Sequence, residues 1–276
     1  MCRTRGWRSV QANFIGPCRG KSDRIIVSCG IGAPYQEDFA VTTANCNRYC
    51  SDVWRLYYSD LPDGCPPQSE RQYAFKVYAM EQAIKAGFRH ILWIDSSLAP
   101  IAPITPLWDA IAHDGWYAAP QFNGITTGQP WRRWASDKQA TLAEWCSDAA
   151  LAIFGIARAA AQFIPLVLTG LVGLDMGNPL AVRIWQTHQA LYEAGAWNGP
   201  HANHPGRPIT AVGRKLAGHC SRDKGVMGHR HDECSFSFIL HTLGLRAVKR
   251  GYLTLEAETG FIAQFVRQFN IQYKGL

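Results

Sequence analysis

The stretch ILWIDSSLAPIAPI, residues 91–104, decides how the fold of this chain is predicted. Its first four residues are apolar without alternation, which is typical of a strand buried on both faces of a mostly parallel sheet. Asp95 follows directly, and a carboxylate without a partner cannot lie inside such a layer. We therefore predict that Asp95 lies at the C-terminal end of this central strand, where open α/β sheets bind ligands. The alternative role is a cap on the turn that begins with Ser96 and Ser97.

The composition is that of a globular, basic chain. Hydrophobic residues make up 47% of the 276 residues and charged residues 18%, which excludes an intrinsically disordered protein. The formal net charge of +7 favours an anionic partner such as a nucleotide or a nucleic acid. The nine cysteines include no CxxC pair, and no apolar run reaches the roughly 18 residues that a membrane-spanning helix needs. These features predict a cytoplasmic protein without a membrane span.

Strands and helices alternate before the central strand. RIIVSC at residues 24–29 and VWRLYY at residues 53–58 have the composition of buried strands. A helix is predicted over residues 37–48, and an amphipathic helix over residues 69–86 leads into the central strand. This alternation predicts an α/β fold, a single compact unit in which helices flank a central, mostly parallel sheet. Residues 1–20 show no periodicity and are predicted to be an irregular lead-in.

The segments after the central strand are predicted from apolar periodicity and turn residues. Turn residues are concentrated at residues 121–133 and 195–208, and both stretches are predicted to be irregular. The remaining predicted elements are helices at residues 107–113, 142–162, 179–193, 225–245 and 261–269, and strands at residues 115–119 and 169–175.

The turn after the strand at residues 24–29 contains a Gly-x-Gly pattern, Gly30 to Gly32. Glycines at such a turn let the backbone approach a ligand, and Ser28 and Gly30 are therefore candidate ligand-binding residues. A tight strand-to-helix turn has the same pattern and needs no ligand.

Charged residues on two helices are the other candidates. Lys76 lies off the apolar stripe of the helix over residues 69–86; a lysine there is usually solvated, yet this helix leads directly into the central strand. Asp232 and Glu233 lie where a late helix begins, a position at which negative charge is favoured by the helix dipole whatever the function. Either acid is also of the type that accepts a proton from a hydroxyl group.

The order of these segments resembles that of a GT-A type glycosyltransferase, a class that uses nucleotide-sugar donors. In this family a helix with a lysine near its start precedes an apolar strand that ends in Asp-x-Asp. The two acids hold a divalent metal on the diphosphate, and an acidic pair begins a later helix on the acceptor side. The residues that match are Lys76, Asp95, Asp232 and Glu233. Ser97 stands where the second acid of the Asp-x-Asp motif would be.

The resemblance, which covers residues 21–245, implies transfer of a sugar from a nucleotide diphosphate to a hydroxyl acceptor. It implies a nucleotide-sugar-binding half at residues 21–120 and an acceptor-binding half at residues 121–276. The acceptor would be a saccharide, a protein side chain or a hydroxylated base in DNA. Asp232 or Glu233 is expected to be catalytic, as the base that takes the acceptor proton in an inverting enzyme or as the group that orients the acceptor in a retaining one. The residues expected to bind the nucleotide or its diphosphate are Ser28, Gly30, Lys76, Asp95 and Ser97.

Ser97 leaves two possibilities for the metal, because a hydroxyl is a weak ligand for a hard cation. Either Mn²⁺ or Mg²⁺ is held by Asp95, water and a histidine such as His231, or basic side chains replace the metal. The same substitution also motivates a competing interpretation, a non-catalytic nucleic-acid-binding protein that keeps the fold.

Histidines and cysteines are concentrated before and within the late helix. They are His219, Cys220, His229, His231 and Cys234. These residue types bind zinc, although they lack the spacing of a paired zinc finger. The cluster is compatible with a small structural zinc site, with a zinc-dependent hydrolase, or with loop residues that bind no metal.

Overall fold

A six-stranded mixed sheet with helices on both faces forms the centre of the protein. The computed structural model describes residues 12–17, 21–100, 103–120, 140–201, 219–247 and 271–273. The strands are β1 (Ala12–Ile15), β2 (Arg24–Cys29), β3 (Trp54–Tyr58), β4 (His90–Ile94), β5 (Leu98–Pro100), β6 (Trp116–Pro120), β7 (Val167–Asp175) and β8 (Ile271–Tyr273). The helices are α1 (Ala33–Tyr49), α2 (Ala74–Lys85), α3 (Thr105–Asp114), α4 (Leu142–Trp145), α5 (Asp148–Phe154), α6 (Arg158–Ala161), α7 (Pro179–Glu193) and α8 (His231–Thr242).

The strand order of the large sheet is β1-β3-β2-β4-β7-β6, and β5 pairs with β8 in a second, two-stranded sheet. The neighbours β3, β2 and β4 are parallel. In contrast, β1 is antiparallel to β3, and β7 is antiparallel to both β4 and β6. The predicted α/β fold with a central sheet flanked by helices is confirmed. The sheet was predicted to be mostly parallel, whereas among the described strands its two parallel pairs lie in the middle and the other three pairs are antiparallel.

The central strand β4 is buried along its whole length. Ile91 and Trp93 pack in one half of the core with α2, α7 and α8, whereas Leu92 and Ile94 pack in the other half with α1 and α3. Successive side chains of a strand point to opposite faces, so a strand between two helical layers needs apolar residues at every position. Asp95, the next residue, therefore lies where the apolar layers end.

Two predicted segments differ in the structure. The helix predicted over residues 142–162 is three short helices, α4 to α6. Ser147 caps α5 by accepting a hydrogen bond from Ala150 N, and Gly155, with φ 69°, ends this helix. Part of the lead-in that was predicted to be irregular forms β1, because Ala12–Ile15 pairs with the edge of β3.

Other predictions keep their bounds or lie outside the described residues. The strand at residues 24–29 and the helix at residues 179–193 have the predicted bounds. The predicted loop at residues 121–133 and the helix at residues 261–269 lie outside the described residues, as does most of the lead-in. Within the part of the chain that is described, no helix is both long and apolar enough to cross a membrane.

The sheet contains strands from both predicted halves of the chain. β7 belongs to the half at residues 121–276, and it lies between β4 and β6, which belong to the half at residues 21–120. The boundary between the proposed donor and acceptor halves therefore runs through one continuous sheet.

A buried histidine, His188, is expected to lower the free energy of unfolding at acidic pH. His188 on α7 is buried, and its ring centroid lies 4.8 Å from that of Trp197 and 5.4 Å from that of Phe236. Burial lowers the pKa of His188 from 6.5 to about 4, so between these values the unfolded chain binds the proton more readily than the folded chain. We expect this histidine to destabilise the protein as the pH falls through that range, by at most about 3 kcal/mol.

Urea-induced unfolding near neutral pH and at about pH 4.5 measures this effect. His188→Phe keeps an aromatic ring in place and should lose less stability between the two pH values than the wild type. The matched control is His241→Phe, since His241 is exposed and should leave the loss unchanged. An equal loss in all three proteins would show that His188 is not responsible.

Candidate active site at the end of the central strand

Asp95 lies immediately after β4, at the C-terminal edge of the sheet. Its backbone N–H donates to Gly170 O at 2.8 Å, which extends the pairing with β7, and its carbonyl accepts from Leu98 N at 2.9 Å, which closes a tight turn. Among the described residues, the groups that donate hydrogen bonds to its carboxylate lie outside this turn. Oδ1 accepts from Trp93 Nε1 at 2.6 Å and from Lys76 Nζ at 3.2 Å. The side chain is 33% exposed, so the carboxylate faces both the interior and solvent.

Gly170 on β7 leaves the space that the Asp95 carboxylate fills. A Cβ atom at Gly170 would lie 3.1 Å from Asp95 Oδ2 and 3.5 Å from Leu98 Cδ1. The first distance is shorter than an ordinary van der Waals contact, so a larger residue would displace the acid. The absence of a side chain at this position therefore helps to place Asp95.

Lys76, a predicted donor-binding residue, is buried and joins two acids, although a lysine off the apolar stripe is usually solvated. Its Nζ lies 2.8 Å from Asp232 Oδ2 and 3.2 Å from Asp95 Oδ1. Nζ also donates to the carbonyl oxygen of Thr169 at 3.2 Å and lies 5.5 Å from the centroids of two aromatic rings. The ammonium group thus connects α2, β4, β7 and α8 at one point.

The adjacent acids at the start of α8 have different environments. Asp232 is buried, and its Oδ2 accepts from Lys76 Nζ at 2.8 Å and from Thr169 Oγ1 at 2.6 Å. Glu233 has a buried Oε2 with no hydrogen-bond donor among the described residues, and Arg230 Nε lies 3.9 Å away. Burial raises the pKa of Glu233 from 4.5 to about 7. The structure thus fixes Asp232 and leaves Glu233 able to exchange a proton near neutral pH.

Backbone strain is concentrated beside these side chains. Among the described residues, those other than glycine with positive φ are Tyr73, at 57°, and His231, at 42°. Tyr73 immediately precedes α2, His231 begins α8, and their ring centroids lie 5.1 Å apart. A left-handed conformation costs a residue with a side chain on the order of 1 kcal/mol or more, and such strain is common at functional sites. The helix predicted from residue 69 accordingly begins only at Ala74.

Three other predicted donor-site residues do not join this cluster. Ser28 is fully buried in β2 and points to the face of the sheet opposite to Asp95, as the register of β2 with β4 requires. Gly30 packs against α1, where a Cβ atom would lie 2.1 Å from Phe39 Cγ, so close packing accounts for this glycine. Ser97 lies partly exposed in the turn after Asp95. Nucleotide binding by Ser28, Gly30 and Ser97 stays a prediction.

The ligand set for the implied divalent metal is small. Asp95 Oδ2 is the carboxylate oxygen that bonds neither Lys76 nor Trp93. His231 Nδ1 donates to Trp197 O at 2.7 Å, which leaves the lone pair on a buried Nε2 without a described partner. Within the described chain, no group of three His, Cys, Asp or Glu ligand atoms includes Asp95 or His231. A cation at Asp95 would thus share one protein carboxylate with the oxygens of a diphosphate, as Mg²⁺ commonly does.

Sequence reasoning missed two residues of the cluster. Thr169 on β7 donates its hydroxyl to Asp232, and Trp93 donates its indole N–H to Asp95. Both were interpreted only as strand residues. The usable signal was the indole of Trp93, because a buried Trp N–H needs an acceptor and the next acid along the chain is Asp95.

Known proteins are similar to this chain in fold and not in sequence. No protein-family model matches the chain, and no curated protein matches its sequence. One similar solved structure is a glycosyltransferase involved in glycosylation of the major capsid of PBCV-1, with 13% identity over 63% of this chain and 69% of that chain, at a TM-score of 0.36. A second is mouse xyloside xylosyltransferase 1, with 11% identity over 91% of this chain and 97% of that chain, at a TM-score of 0.42. A third is the galactosyltransferase LgtC, with 10% identity over 83% of this chain and 98% of that chain, at a TM-score of 0.36.

Loss of the Lys76 ammonium should destabilise the protein strongly. Lys76→Met keeps the length of the side chain but leaves the buried carboxylate of Asp232 without its cation, and such a change typically costs about 3–5 kcal/mol. Lys85, on the same helix, pairs with Glu81 and is 72% exposed, so Lys85→Met should cost less than about 1 kcal/mol. Denaturant-induced unfolding of the two variants measures the difference.

A third variant separates charge from packing. Lys76→Met combined with Asp232→Asn removes the unpaired charge, so it should recover part of the stability lost in Lys76→Met alone. If Lys76→Met and Lys85→Met unfold at the same denaturant concentration, the buried ion pair does not hold this site together.

Proposed function

We propose that this chain is a glycosyltransferase that moves a sugar from a nucleotide diphosphate donor to a hydroxyl acceptor. The observation that carries the proposal is the buried ammonium of Lys76 between the carboxylates of Asp95 and Asp232. These groups lie at the C-terminal edge of the central strand, where open α/β sheets bind ligands. A cavity beside them is lined by Lys76, Thr169 and Asp232 and otherwise mainly by apolar side chains.

The charges of the cluster indicate what Asp95 contacts. Burial lowers the pKa of Lys76, but Asp232 and Asp95 outweigh burial and raise the pKa above its ordinary value, so the ammonium stays charged. One ammonium and two carboxylates leave one negative charge in excess, and Asp95 is the more exposed acid. This charge would repel a bare diphosphate, whereas it attracts a sugar or ribose hydroxyl or a cation bound to the diphosphate.

We therefore assign Asp95 to a donor hydroxyl or to the metal, with Lys76 as the positioning residue. Mn²⁺ or Mg²⁺ held at Asp95 would offset the charge that develops on the leaving diphosphate. Asp232 keeps Lys76 in place through its own hydrogen bonds and would not contact the donor.

Glu233, rather than Asp232, is assigned as the general base. In an inverting transfer the base takes the acceptor proton as the acceptor oxygen bonds to the anomeric carbon. The bond from that carbon to the diphosphate oxygen breaks, and its electron pair leaves with the diphosphate. Asp232 is unsuited because its Oδ2 already accepts from Lys76 and Thr169. In a retaining transfer the carboxyl of Glu233 would orient the acceptor hydroxyl.

The proposed acceptor is a hydroxyl group on a saccharide, a protein or a hydroxylated base in DNA, with the cytoplasm as the expected compartment. The net charge of +7 favours a polyanionic acceptor. Arginines at positions 3, 5, 8 and 19 and the pair Arg132-Arg133 would suit a polyanion such as DNA, but they lie outside the described residues. The competing interpretation, a nucleic-acid-binding protein without catalysis, is therefore supported only by Ser97 and by the net charge of the chain.

Binding of the donor should raise the melting temperature of the protein. A ligand at 100 times its Kd stabilises the native state by about 2.7 kcal/mol. A panel of nucleotide sugars, each tested with and without Mn²⁺, should contain at least one donor that produces this shift. Asp95→Asn should reduce the shift, and Asp52→Asn, at an exposed position, should preserve it. A full shift in Asp95→Asn would place donor binding elsewhere on the protein.

The rate of transfer should follow the ionisation of Glu233. With the donor found in this way, kcat should rise with pH through about 7, the pKa to which burial raises Glu233. Glu233→Gln should lower kcat by about 10²- to 10⁴-fold, whereas Glu70→Gln, at an exposed position, should not.

Unfolding supplies a control that is independent of activity. The folded-state pKa of Glu233 is raised, so its contribution to stability is lost as the pH rises from 4.5 to 7, by at most about 3 kcal/mol. Glu233→Gln should remove this loss. If the variant removes the loss but keeps full activity, Glu233 is buried as described and is not the base.

A further inference from the structure

Three side chains of zinc-ligand type meet in the protein interior. The ligand atoms of Cys146, His229 and Cys234 all lie within 4.8 Å of one another, and the three residues are fully buried. Cys146 follows α4, His229 lies just before α8, and Cys234 lies within α8. The histidine and cysteine cluster seen in the sequence contained His229 and Cys234 but not Cys146, which is distant along the chain.

The geometry of the histidine and thiol suits a tetrahedral zinc ion. Cys234 Sγ lies 3.6 Å from His229 Nδ1. With Zn–S bonds of about 2.3 Å and Zn–N bonds of about 2.0–2.1 Å, a tetrahedral ion separates sulfur from nitrogen by about 3.6 Å. His229 Nε2 lies 2.9 Å from Ala196 O, and a carbonyl can only accept, so Nε2 carries the proton. The lone pair is then on Nδ1, and zinc-bound histidines are usually oriented by such a bond.

The partners that these atoms have without a metal are weaker. Ser147 N–H donates to His229 Nδ1 at 3.3 Å, which is long for this type of bond. Cys234 Sγ donates to Trp145 O at 2.9 Å; a thiol is a weak donor, and this bond would be lost when the thiol deprotonates to bind zinc. The competing explanation for the cluster is that Cys146 and Cys234 are packed thiols that bind no metal. That explanation does not account for the lone pair of His229 Nδ1, which faces the thiol of Cys234.

We propose that Cys146, His229 and Cys234 bind a structural zinc ion. Cysteine thiolates and histidine nitrogens are the usual ligands of such an ion. Cys220 lies on a neighbouring segment, since its carbonyl accepts from Asp148 N at 2.9 Å, but among the described residues its thiol is not in the group of ligand atoms within 4.8 Å of one another. The three ligands are fully buried, which suits structural rather than hydrolytic zinc.

The position of the ligands gives the ion a role in holding the start of α8. His229 lies shortly before Asp232, and Cys234 directly follows Glu233, so the two ligands enclose the acidic pair along the chain. Cys146 belongs to the connection between α4 and α5. A zinc ion would join this connection to the first turn of α8 and fix the backbone that carries both acids.

Metal analysis of the purified full-length chain tests the proposal. Without chelators during purification, elemental analysis should find zinc in a one-to-one ratio to the chain. Cys234→Ser should lose this zinc, whereas Cys46→Ser, which removes a buried thiol from the other half of the core, should keep it. The melting temperature of the wild type should fall when a strong chelator removes the metal and recover when zinc is returned.

Cobalt gives a readout on the wild type that does not depend on whether the variants fold. Co²⁺ added to chelator-treated protein should produce the charge-transfer absorption of cobalt–thiolate bonds and the intense visible bands of a tetrahedral ion. Protein without zinc that binds neither metal, or a native disulfide between Cys146 and Cys234 in mass spectrometry, would overturn the proposal. Metal content and melting temperature do not involve the donor, so this outcome is independent of the proposed function.

Discussion

The ammonium of Lys76 allows two carboxylates to lie together at the end of an apolar strand. Asp232 is buried, and a buried carboxylate without a cation would cost several kcal/mol. Thr169 and Trp93 donate further hydrogen bonds to the two acids, so the arrangement needs α2, β4, β7 and α8 in place at once. Because the acids outnumber the cation, the site keeps one negative charge at its exposed edge, and this charge restricts what can bind there.

The α/β fold and the edge position of Asp95 were predictable because both depend on local patterns. An apolar run such as ILWI indicates burial on two faces, and the first acid after it must leave the apolar layer. The direction of β7 was not predictable, since an apolar run is the same in either direction and pairing is decided by distant residues. In residues 142–162, Ser147 and Gly155 were visible helix boundaries, but the high helix propensity of alanine suggested one long helix.

The residue types of the site were visible in the sequence, but their partners were not. Lys76 lies off the apolar stripe, and it is buried by contacts with groups from β4, β7 and α8. Asp232 and Glu233 are equivalent by position. Their roles separate because Oδ2 of Asp232 accepts from Thr169 on β7, while Oε2 of Glu233 has no donor among the described residues. Tertiary contacts of this kind follow from packing that no local pattern encodes. The same holds for the backbone strain at Tyr73 and His231, where α2 and α8 begin.

The place of β7 in the sheet also affects how the chain reaches its folded state. β4 and β6 are synthesised well before β7, yet each depends on β7 for the hydrogen bonds along one of its sides. Until β7 arrives, these sides are open edges, and open edges can pair with other chains. Long-range pairing of this type also slows folding. The strand that supplies Thr169 and Gly170 to the site therefore also covers two edges that are open while the chain is being synthesised.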